Sequence, residues 1–128
     1  MATLTPKAIS AGVISFIALF SICFIFTNTS TQGIQNPVQF FAWLSIWILP
    51  GYVSAHFAKG NGVINGLTTG IIIGAASGIG LTMILSDSVR FPIMKTGLIL
   101  SITFGAAILC SLGGLIWHLK STLRTGKL

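Results

Sequence analysis

Residues 62–86, GVINGLTTGIIIGAASGIGLTMILS, decide the fold. Within this stretch Gly62, Gly66, Gly70, Gly74 and Gly78 recur at every fourth position, and Gly80 follows. An α-helix turns by about 100° per residue, so each step of four leaves a drift of about 40°. The glycines therefore describe a slowly winding groove along one side of a helix. Lipid tails are as apolar as leucine, so burial from water does not bring helices together inside a bilayer. Close backbone approach does, and glycine permits it at a cost of about 1 kcal/mol of helix propensity relative to alanine. A groove kept in register over this length predicts a close helical partner along most of the span.

Three further apolar runs surround it: Ala8–Phe26, Val38–Ala58 and Thr96–Trp117. Each approaches the roughly 20 residues that cross a hydrocarbon core as a helix. None of the four contains Asp, Glu, Lys or Arg. Helices are required because unpaired backbone groups cannot face lipid. The short alternating segments of a membrane β-barrel are absent. The expected fold is all-α, an integral membrane four-helix bundle forming one transmembrane domain over residues 1–128, with the glycine ladder on its third helix.

Composition agrees. The chain is 53% hydrophobic and 6% charged, with a mean hydropathy of +0.95. A soluble domain carries about a quarter charged residues. A disordered chain needs low hydrophobicity and high charge. Both classes are excluded, and a soluble enzyme with them.

The fourth span offers a partner face for the ladder, since Gly97, Ser101, Gly105 and Gly113 share a four-residue spacing broken only at Leu109. In the second span, Pro50 and Gly51 predict a kink. Proline has no N–H, clashes one turn back and frees the carbonyl of Ile46.

Seven Lys or Arg stand against one acid, Asp87, for a net charge of +6. They sit singly between apolar runs with no basic-aromatic patch, so they read as membrane flanks rather than a nucleic-acid surface. The side holding both termini carries Lys7, Lys59, Lys120, Arg124 and Lys127, against Arg90 and Lys95 on the other. This excess places both termini in the cytoplasm. Lys7, Lys59, Trp117, Lys120 and Arg124 are the expected anchors at the membrane interface. No small-x-small cleavage site follows Phe26, so the first span is expected to remain a span rather than a removed signal peptide.

Chemistry is sparse. On this topology His56 and His118 lie across the core from Asp87, roughly 30 Å away. The cysteines, histidines and aspartate match no zinc spacing, and the serines and threonines lack a base to activate them. No catalytic residue, metal or cofactor is expected, and the chain is not read as an enzyme. Four-helix multidrug exporters of similar length depend on a glutamate within the membrane, and this chain has no Glu. Asn65, one turn inside the cytoplasmic end of its span, is expected to reach the headgroups or the turn at Lys59.

The block from Pro50 to Gly80, PGYVSAHFAKGNGVINGLTTGIIIGAASGIG, with SLGGLIW at Ser111 to Trp117, resembles a group of small four-helix bacterial membrane proteins of unknown function. These share a glycine-containing end to span two, a short Lys-Gly turn, a glycine-spaced third span and a small-residue fourth span. Here Pro50-Gly51 stands where a glycine pair is commoner. The resemblance implies an architecture and a bacterial inner membrane, and no activity.

The function expected from the sequence is that of an accessory or scaffolding subunit, joined through glycine-mediated helix packing to a membrane assembly. Its partners are then the lipid bilayer and either other subunits or copies of itself, with no nucleic acid. The alternative is a homo-oligomeric channel or passive small-solute transporter, with the glycine groove and the Pro50 bend shaping a path.

Overall fold

The computed structural model describes residues 4–29, 37–58, 61–85 and 92–126. Four helices account for nearly all of them: α1 (Pro6–Thr29), α2 (Pro37–Ala58), α3 (Gly62–Ile84) and α4 (Pro92–Thr125). Three begin on proline, whose preset φ and missing N–H suit the first helical position. The start of α3 is held differently. The Asn61 carbonyl accepts the Asn65 backbone N–H at 3.1 Å and its side-chain amide at 2.9 Å.

All four helices are long and apolar enough to cross a membrane. The architecture is that of a multi-pass membrane protein. The fourth helix departs from the expected span of 96–117, since it has 34 residues and a length of about 51 Å. Nothing after Trp117 breaks a helix until Gly126, which takes a φ of 66° and donates its N–H to the Leu123 carbonyl. Such a left-handed glycine is an ordinary helix stop.

Helices α2 and α3 form the centre, and each touches the other three. Among the described residues α1 and α4 do not meet, and the α3–α4 contact is the most extensive. It is antiparallel, with Gly62 opposite Gly114 and Gly78 opposite Ile99. The α1–α2 pair is antiparallel too, with Phe16 against Trp47 and Phe20 against Trp43.

Among the described residues most bulky apolar side chains point outward, and only Phe16, Ile46 and Ile73 of them are buried. The buried apolar set is Ala8, Phe16, Ile46, Ala55, Ile73, Ala106 and Cys110, whereas Phe104 is 72% exposed and Ile84 80%. In water so much exposed apolar surface would drive association; against hydrocarbon it carries no penalty.

Helix α2 runs unbroken through Pro50. One turn is serviced from outside, as the Cys110 thiol donates to the Trp47 carbonyl at 2.9 Å and the Gly51 backbone bonds to the same sulfur. The carbonyl that Pro50 leaves without its helical N–H is that of Ile46, so these bonds hold the turn one position further on.

Candidate functional site

Three arrangements gather the residues singled out by the sequence. The first is the α3–α4 seam. Gly62, Gly66, Gly70, Gly74 and Gly78 are all buried. A Cβ on Gly66 would stand 2.7 Å from the Cys110 carbonyl oxygen, and one on Gly70 2.5 Å from that of Ala106. On Gly74 it would meet Thr103 Cα at 2.6 Å, and on Gly78 Ile99 Cα at 3.0 Å. Gly62 faces the Ala55 Cβ of α2 at 2.7 Å. At such distances a methyl group cannot be added without moving a backbone.

The facing row on α4 is therefore Gly114, Cys110, Ala106, Thr103 and Ile99, which corrects the expected one. Of that expected row, only Gly113 lies in a seam, and it packs on α2, where a Cβ would run into the Ile48 carbonyl and lie 2.8 Å from Tyr52 N. Gly97 and Gly105 have nothing within 4 Å of a notional Cβ, and Ser101 is exposed. The cause is geometric. The small row that ends at Gly114 lies one residue, about 100°, around the helix from the row that ends at Gly113. The first turns toward α3 and leaves Gly97, Ser101 and Gly105 outside. On α2, a Cβ on Gly51 would collide with the Cys110 carbonyl, so Gly51, one residue past Pro50, is with Gly113 a point of close approach between α2 and α4.

The second arrangement is a buried polar junction of α1, α2 and α3. Ser54, Asn65 and Thr69 are fully buried. Thr69 Oγ1 donates to the Asn65 carbonyl at 2.7 Å and lies 3.0 Å from Ser54 Oγ. Asn65 Oδ1 accepts the Thr5 backbone N–H at 2.9 Å. Of the two expectations for Asn65, the turn after Lys59 holds, since its side-chain amide donates to the Asn61 carbonyl, while its Oδ1 points into the bundle to Thr5 rather than to headgroups. Gly12 of α1 closes the junction, and a Cβ there would meet Thr69 Cγ2 at 2.7 Å and the Pro50 carbonyl at 3.0 Å. A polar group left without a partner at such depth is costly, which accounts for the closed chain of bonds.

The third arrangement joins the ends of α2 and α4. Trp117 Nε1 donates to His56 Nδ1 at 3.3 Å, and Lys120 Nζ donates to the Tyr52 hydroxyl at 3.2 Å. The Lys120 ammonium also lies 5.8 Å from the Tyr52 ring centroid. Lys7 and Arg124 are exposed. Lys59 lies outside the described residues.

A lateral cleft of about 380 Å³ lies between Phe16, Phe20, Trp47, Leu81 and Ile102, with Ser77, Gly80 and Ile84 completing its wall. Its lining is almost wholly apolar, which suits hydrocarbon rather than water. Among the described residues no three His, Cys, Asp or Glu side chains come together as metal ligands, and Cys23 and Cys110 form no disulfide. No protein-family model matches the chain, and comparison with curated proteins and with solved structures returned no match.

Proposed function

We propose that the chain is an accessory or scaffolding subunit of a membrane assembly, acting through helix packing. Its setting is a bacterial inner membrane, with both termini in the cytoplasm by the excess of basic residues on that side. The observation that carries this reading is the inverted distribution of size. Glycines line the α3 side of the α3–α4 seam, and large apolar side chains such as Ile17, Phe40, Ile71 and Phe104 stand on the exterior of every helix. A bundle so constructed is rigid within and offers helix faces without.

The test is crosslinking in native membranes from a single cysteine placed in turn at Ile17, Phe40, Ile71 and Phe104, with Cys23 replaced by serine and the buried Cys110 retained. One face should yield a defined protein adduct, identified by mass. Adducts from none of the four positions would end the proposal. Adducts only between copies of the chain would favour the homo-oligomeric reading. That reading needs a path other than the glycine groove, which α4 fills; solute flux into liposomes holding the purified protein is its own test.

A further inference from the structure

We propose that the paired ends of α2 and α4 form a binding site for the phosphate of an anionic phospholipid headgroup. The site is two rungs between two helices. Tyr52 and His56 are one turn apart on α2, and Trp117 and Lys120 are one turn apart on α4, so both pairs share a face. Each rung is a cross-helix hydrogen bond, Lys120 to Tyr52 and Trp117 to His56.

The direction of these bonds leaves donors over. An ammonium has only donors, so the Tyr52 oxygen accepts and its own O–H remains to give. Lys120 keeps two further N–H groups. The indole N–H likewise has no acceptor capacity, so His56 Nδ1 accepts and neutral His56 carries its proton on Nε2. Ammonium, phenol and imidazole N–H thus stand along one edge of the α2–α4 pair, all at exposed or half-buried positions. A phosphate offers the complementary set, negative charge and several acceptor oxygens.

Depth and charge select the occupant. Gly62, the first residue of α3, packs beside Gly114. Trp117 and Lys120 therefore stand about 5 to 9 Å beyond the start of α3, where apolar spans give way to His118, Lys120 and Arg124. Aromatic rings and cations at that level meet lipid headgroups. The described residues include no Asp or Glu; the one acid of the chain, Asp87, follows the far end of α3 in sequence. Among the described residues no carboxylate side chain stands beside Lys120 or its neighbour Arg124, and at this depth the abundant anion is lipid phosphate.

The experiment measures lipid retained on the full-length protein, purified in detergent, by native mass spectrometry with phosphatidylglycerol, phosphatidylcholine or inorganic phosphate added. Phosphatidylglycerol should be retained about tenfold over phosphatidylcholine, a preference that weakens as salt is raised. Lys120→Gln should cut that preference about fivefold and Tyr52→Phe about threefold, while Lys7→Gln, on α1, leaves it unchanged. Equal retention of both lipids, or a preference untouched by Lys120→Gln, overturns the site. Inorganic phosphate displacing phosphatidylglycerol at equal concentration overturns the lipid assignment. Should Lys120→Gln fail to fold, Tyr52→Phe and the salt dependence of the unaltered protein decide the matter by the same criteria.

Discussion

The α1–α2 seam and the α3–α4 seam solve one problem in opposite ways. Between α1 and α2, rings fill the gap: Phe16 packs on Trp47 at 5.1 Å between centroids and Phe20 meets Trp43 edge-on at 5.9 Å. Between α3 and α4, side chains are removed from the gap until carbonyls and α-carbons touch what faces them. The aromatic seam holds by contact area, which degrades gradually. The glycine seam holds by distance, which has no slack. The first should suffer from truncation and the second from enlargement.

The largest effect falls where the backbones are nearest. Gly51→Ala would place a methyl on the Cys110 carbonyl, and Gly113→Ala one on that of Ile48. Each should cost about 3 kcal/mol or more, at or above the usual range for overpacking, read as lost folded fraction in thermal unfolding in detergent. Phe16→Ala should come second at about 2 kcal/mol, below the roughly 3–5 kcal/mol of a sealed core, because Phe16 borders a cleft that hydrocarbon can enter. A larger loss there than at Gly51 would reverse the comparison. Thr69→Val, which removes the hydroxyl from the buried junction, should cost about 1 kcal/mol, the scale measured for hydrogen bonds between membrane helices. Smallest, and opposite in sign, are Gly80→Ala and Gly97→Ala. A Cβ at either position meets nothing within 4 Å, so each should gain up to about 1 kcal/mol of helix stability. Destabilisation at Gly97 in native membranes, absent in detergent, would indicate that a partner covers it.

The ladder on α3 and the four helices were legible in the sequence because apolar length and glycine spacing are periodic signals. The facing row on α4 is legible only as one of two candidates. Ala106, Cys110 and Gly114 share a four-residue spacing as regular as that of Gly97, Ser101 and Gly105. Alanine and cysteine are small enough to serve beside glycine and serine. No local pattern decides between two rows one residue apart, since the choice depends on how α4 rolls against α2 and α3 together. Asn65 is legible in part for a related reason: its bond to Asn61 follows from helix spacing, whereas its bond to Thr5 joins residues sixty apart. The helix beyond Trp117 is legible only as the lack of a breaker before Gly126, because its polar composition gives no apolar signal. The rungs of Tyr52 and Lys120, and of His56 and Trp117, leave no trace in sequence spacing, since their members are more than sixty residues apart.

The bond from the Thr5 amide to Asn65 has a consequence for biogenesis. A ribosome delivers α1 well before Asn65 exists, and the leading amides of a helix need acceptors from somewhere. Here one of them waits on a side chain in α3, so the helix that is made first can be fully seated only after the third has been threaded into place.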